Sequence, residues 1–165
     1  MRILGIDPGL RITGFGVVEV RPNTIEPALI EAGVIKLDAK TSIADRLAQL
    51  ADDLAGIIDQ AQPDRLAVEQ VYSHYAHPNT AVIMAHARGV ILLRARQAGL
   101  AIEELAATEV KKAITGNGHA SKEQVQQAVQ AQFRLPEPPS PPDVADAIAI
   151  ATCHARRIAV DALSR

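Results

Sequence analysis

Four carboxylates stand where an aliphatic core would be expected. Asp7 closes the run ILGID, Glu69 closes LAVE, and Asp143 and Asp146 lie in DVADAIAIA. Taking a carboxylate out of water is costly unless a cation or hydrogen-bond donors meet it. Several carboxylates converging on one point repel one another unless cations occupy the space between them. Oxygen-only ligands suit Mg²⁺ or Mn²⁺, whereas zinc calls for Cys and His. Two such ions about 3.5–4 Å apart form the clamp used for in-line attack on a phosphodiester. In that scheme one ion activates a water and the other stabilises the leaving 3′ oxygen.

Each acid also has a plainer reading. Asp7 precedes Pro8-Gly9, a turn-forming pair. With Ser140 as N-cap and Pro141 at the first helical position, Asp143 would complete a capping box at N3. Asp146 follows Asp143 by three residues, on the same helical face, and could be solvated there. Glu69 is harder to explain this way, because glutamate is depleted in strands and this one follows Leu, Ala and Val.

The elements that must position these acids are legible from periodicity. Residues 2–7 and 12–20 read as strands joined through Pro8-Gly9, and 31–37 as a third that completes an antiparallel meander. Residues 43–58 carry apolar side chains at helical spacing after a Ser42 N-cap, and Pro63 ends that helix. A strand over 65–71, a helix over 80–97 and a strand over 100–105 follow. Ser121 and Gln124 form a capping box that opens a helix over 122–133. The prolines of PEPPSPP lead into a last helix from Asp143 to about Ala162. Three successive strands and then alternating helix and strand predict an α/β fold, a mixed sheet with helices on its faces. The helix over 80–97 is apolar almost all round, so two sides are expected to be covered, one by the core and one by a partner.

At 165 residues the chain fits a single domain over 1–165. A single cysteine excludes an internal disulfide framework and suits a reducing compartment. Asp7 interrupts the first apolar run too early for a signal peptide, so a cytoplasmic location is expected. The balance of 17 Lys and Arg against 19 Asp and Glu gives a net charge of −2, unlike the basic excess usual in nucleic-acid binders. Local basic patches or bound cations can offset such a total.

Taken in order and spacing, IDPGLRITGFGVV, AVEQVY, HARG and DVADAIAIA closely resemble the RuvC-type Holliday-junction resolvases, over residues 2 to about 155. The resemblance implies an RNase H-like fold with a five-stranded sheet, a homodimer, and metal-dependent nicking of two opposed strands at a four-way DNA junction. It assigns metal binding and catalysis to Asp7, Glu69, Asp143 and Asp146, with Mg²⁺ or Mn²⁺ as cofactor. It links Lys111 and Lys122 to DNA contact, with Lys122 also catalytic, and adds Tyr72, Asn79 and Arg88 as DNA-binding positions. Tyr72 would stack on a base near the crossover, with core packing as its rival. Lys122 lies in the first turn of its helix, where the dipole disfavours a cation, so a functional reading has local support. The resemblance also implies cooperation with a branch-migration helicase complex (RuvA/RuvB).

The chain departs from the family pattern at His86, where glutamine is common, and carries extra histidines at His74 and His77. His74-x-x-His77 lacks the Cys or third ligand that a zinc site requires, so phosphate contact is the alternative. Three other functions compete. An actin-like phosphotransfer protein also uses a strand ending in Asp before a hairpin, but that architecture needs two such domains. A non-catalytic junction-binding module has no use for four clustered acids. A related nuclease acting on RNA is separated from a DNA enzyme only by the resemblance.

Overall fold

The computed structural model describes residues 1–70 and 78–164. Five strands, β1 (Arg2–Asp7), β2 (Ile12–Glu19), β3 (Ala28–Lys36), β4 (Arg65–Glu69) and β5 (Ala101–Leu105), form one sheet in the order β3-β2-β1-β4-β5. The first three are antiparallel, while β4 and β5 run parallel to β1. Five helices complete the fold: α1 (Ile43–Ala61), α2 (Pro78–Gln97), α3 (Ala107–Thr115), α4 (Lys122–Phe133) and α5 (Pro142–Leu163). This is the mixed, helix-flanked sheet expected from the sequence.

Strand alternation divides the interior into two layers. Leu4 and Ile6 of β1, Phe15 and Val17 of β2, and Leu66 and Val68 of β4 face α1 and α2. Ile3, Val18 and Ala67 face the other way, towards α3, α4 and α5. Asp7 has the parity of Ile3, and Glu69 that of Ala67, so both acids project on the α5 side. Register Ile6↔Val68 brings the C-terminal ends of β1 and β4 together.

Helix α5 lies unusually close to this face because glycines floor it. A Cβ on Gly5 would come within 2.2 Å of the Ala147 carbonyl oxygen, and one on Gly16 within 2.9 Å of the Ile148 side chain. Small residues on the helix complete the seat, with Ala147 and Ala151 both fully buried. Alanine pays the least side-chain entropy in a helix, so close approach and helix stability are compatible here.

Several boundaries differ from the sequence reading. Strand β3 starts three residues earlier than expected, and α1 runs on to Ala61, where Gln62 adopts the left-handed conformation at its C-cap. Helix α3 was not anticipated. Pro141, not Ser140, is the N-cap of α5, it makes no side-chain cap bond, and Pro142 occupies the first helical position. The expected Ser140–Asp143 capping box therefore does not form. Two adjacent prolines both suit the first turn, and the chain uses the second.

Candidate active site

The turn after β1 is fixed from within. Thr13, fully buried, donates through Oγ1 to the Gly9 carbonyl at 2.7 Å and accepts from the Gly9 N–H at 3.1 Å. Arg46 of α1 donates to the Leu10 carbonyl at 3.1 Å. The backbone thus leaves the sheet immediately beyond Asp7, and the carboxylate stays at the rigid end of β1.

The glycine seat brings the two α5 acids to the same place. Asp7 pairs with Gly14 across β1 and β2, and a Cβ on Gly14 would lie 2.1 Å from the Asp143 carbonyl oxygen. Asp143 and Asp146, in the first turns of α5, therefore stand over the end of β1. The Asp143 carboxylate has no capping box to complete, and Asp143 lines the cleft beside Asp7. The solvated reading of Asp146 fails too, for its side chain is only 26% exposed.

Electrostatics register the convergence. Burial, then the charges of Asp146, Asp143 and Glu69, push the Asp7 carboxyl up to about 8, against the pull of Lys122. Burial followed by Asp146 raises Glu69, opposed by Lys111, Lys122 and Arg88. Burial also raises Asp146, opposed chiefly by Lys122, whose Nζ lies 4.0 Å from its Oδ2. All four acids and both lysines thus form one coupled group. The unanticipated α3 delivers Lys111, and the capping box of α4 fixes Lys122 at that helix's first position.

Among the described residues, no three His, Cys, Asp or Glu side chains are already drawn into a closed metal cage. The donors surround an open space and are oxygen-only, the chemistry that suits Mg²⁺ or Mn²⁺. A divalent cation would offset the burial and the mutual repulsion that raise Asp7, Glu69 and Asp146. On those grounds the residues fit such ions.

A cleft of about 510 Å³ opens beside the acids, lined by Asp7, Asp143 and Lys122 together with Arg11, Arg46 and Thr80. Arg11 and Arg46 were not singled out from sequence, because neither sits in a motif and only the fold brings them to the cleft. The Arg46 Nε is buried without a partner. Arg88 is placed differently from a free DNA-facing cation. Its Nη1 donates to the Glu69 carbonyl at 2.6 Å, and its Nη2 pairs with the Glu104 carboxylate. Asn79 is exposed in the first turn of α2, and His86 is exposed with Nδ1 2.8 Å from the Val82 carbonyl. Tyr72, His74 and His77 lie outside the described residues.

An RNase H-like sheet carrying four convergent acids defines the class, a phosphodiester-cleaving nuclease fold. Comparison with known proteins narrows it. The family profile described as crossover junction endodeoxyribonuclease RuvC matches residues 3–154. The protein of that name from Rhodopirellula baltica is 46% identical over 92% of this chain and 84% of its own. The one from Heliobacterium modesticaldum is 43% identical over 96% of each. The solved structure of Thermus thermophilus RuvC in complex with Holliday junction substrate superposes with a TM-score of 0.88, at 31% identity over 98% of this chain and 96% of that one. The chain belongs to the RuvC family of crossover junction endodeoxyribonucleases, which are phosphodiester hydrolases.

Proposed function

We propose that this protein resolves four-way DNA junctions by symmetric nicking of two opposed strands, using Asp7, Glu69, Asp143 and Asp146 as metal ligands. The observation that carries this reading is the seating of α5 on glycines, which stacks two helix carboxylates over two strand carboxylates. Mg²⁺ or Mn²⁺, two ions per site, would supply activation of the attacking water and charge stabilisation at the leaving 3′ oxygen.

The chain's own residues do the rest. Strand and helix ends hold the carboxylates in place before substrate arrives, so little reorganisation is needed during reaction. Lys122, beside Asp146, supplies positive charge next to the scissile phosphate. Arg11 and Arg46 offer phosphate contacts along the cleft, and Lys111, near Glu69 and Asp146, adds a DNA contact, which lets a chain of net charge −2 present a locally basic path. Arg88 holds the end of β4, and Asn79 and Tyr72 contact DNA near the crossover, Tyr72 by stacking. Residues 1–165 act as a single domain, and no helix among the described residues is long and apolar enough to cross a membrane. A cytoplasmic site of action, beside the branch-migration complex (RuvA/RuvB), completes the reading.

Two-fold symmetric cutting calls for two sites related by an axis, hence a homodimer. Helix α2 offers the surface. Ala87, Ile91 and Ala95 are fully buried in the core, while Val82 and Leu93 are 55% and 56% exposed on its outer side. The deciding experiment is cleavage of a synthetic four-way junction in Mg²⁺ or Mn²⁺, beside linear duplex and beside Asp7→Asn. Paired nicks on the junction alone, lost in the variant with binding retained, are expected. Equal cutting of linear duplex would remove junction selectivity from this reading.

A further inference from the structure

The cleft beside the acids carries two chemistries along its wall. Asp7, Asp143 and Lys122 make one part, and Pro8, Ile83 and Met84 contribute an apolar part to the same cavity of about 510 Å³. Metal ligation and phosphate contact account for the charged part alone. Thr80 stands three residues before Ile83 and four before Met84, so the three share one face of α2, and all three line the cleft.

Packing explains Ile83, which lies against the core layer beneath α1 and α2. It does not explain Met84. This side chain is half-buried, yet among the described residues it joins neither layer of the core. Nor does it line the apolar groove on the outer side of α2, where Val82 and Leu93 stand. Its place is in the cleft, on a wall shared with the acids. The apolar part of a nucleotide is the face of its base, and a thioether packs favourably on aromatic rings. Thr80, exposed one turn earlier on the same face, brings a hydroxyl that both donates and accepts.

We propose that this stretch is a base pocket, which takes the unstacked base of a nucleotide flanking the scissile phosphate, with Met84 against its face and Thr80 at its edge. The assignment rests on the acid cluster holding that phosphate, which puts the flanking nucleotides within reach of the cleft wall. Strand exchange at a four-way junction interrupts the base stack, and an already disturbed base costs least to turn out.

The test is nicking of a junction in which the base on the 5′ or the 3′ side of the cut is replaced by an abasic residue, with wild type, Met84→Ala and Met84→Leu. Wild type is expected to lose about tenfold or more in rate on one abasic junction. Met84→Ala should lose as much on the intact junction and nothing further on that abasic one, because both changes remove the same contact. Met84→Leu should keep most of the rate, and cooperative melts of both variants check the fold. Full-rate cutting of both abasic junctions by wild type would overturn the base pocket, as would losses from Met84→Ala and the abasic residue that multiply. 2-Aminopurine at the same two positions gives a readout that needs neither cleavage nor a folded variant: its emission should change when wild type binds at the position that the abasic junctions single out. A wild type that binds the junction without nicking it defeats the functional reading, and the emission still decides the pocket. Unchanged emission at both positions would sink it.

Discussion

Gly14 meets the main chain of Asp143 with no room for a side chain between them: a Cβ on Gly14 would sit 2.1 Å from the Asp143 carbonyl oxygen. Since Gly14 is also the β2 partner of Asp7, one glycine sets the distance between a strand acid and a helix acid. Gly14→Ala must push the start of α5 outwards. It is expected to lower stability by about 1–3 kcal/mol and junction nicking by tenfold or more. Gly56→Ala, exposed on α1 with nothing within 4 Å, is the control and should stabilise by about 0.5–1 kcal/mol. Denaturant melts and nicking rates of the two variants check this, and equal behaviour would sink it.

The proton on Asp7 ties stability to pH. Asp7 ionises at about 8 in the folded chain against an ordinary value of 3.8. Between those values the native state holds the proton that the unfolded chain gives up, so this contribution is complete below pH 3.8 and vanishes as pH rises through about 8. In chelator, the melting temperature of wild type should therefore fall across that window. Asp7→Asn should flatten the fall and melt a few degrees higher than wild type near pH 8. Added Mg²⁺ or Mn²⁺ should stabilise wild type more than the variant. Thermal melts in chelator and in metal decide the matter, and identical curves would show that Asp7 carries no such burden.

Arg88 ties β4 to β5 by bonding both the Glu69 carbonyl and Glu104. Arg88→Ala should reduce kcat about tenfold or more while leaving junction affinity largely intact. Lysine should restore only part, because one ammonium cannot span both acceptors in the fixed fork of a guanidinium. A fall in affinity with kcat unchanged would instead make Arg88 a DNA contact.

The outer side of α2 is open to a second test. Val82 and Leu93 flank a shallow apolar groove with Leu47, Ala85 and Val90. Leu93→Glu is expected to convert a dimer into monomers in sedimentation at about micromolar concentration, because a charge in such an interface is costly to desolvate. Wild type that sediments only as a monomer would contradict the dimer itself.

What the sequence disclosed and withheld follows from the range of each interaction. The four acids and most elements were legible because an acid inside an apolar run is a local anomaly. Helix α3 was missed for a local reason as well: Ala106 gives it no side-chain cap, and only Val110 of its nine residues is buried. Ser140 looked like the cap of α5 because Ser-Pro-Pro allows two starts, and only packing chose between them. Arg11, Arg46 and the partners of Arg88 are long-range facts, and no window of sequence holds both sides of them.

The two-layer alternation of β1 has a consequence for insertions and deletions. Asp7 is the last residue of a strand whose other odd positions, Ile3 and Gly5, serve the α5 side. Removing one residue upstream, with the sheet pairing kept, would turn Ile6 towards the acids and press the carboxylate into the aliphatic layer beneath α1 and α2. No residue of the site need change for the site to vanish. In this strand the reading frame of the pleat is itself a requirement of the proposed site, and length is under as strict a constraint as identity.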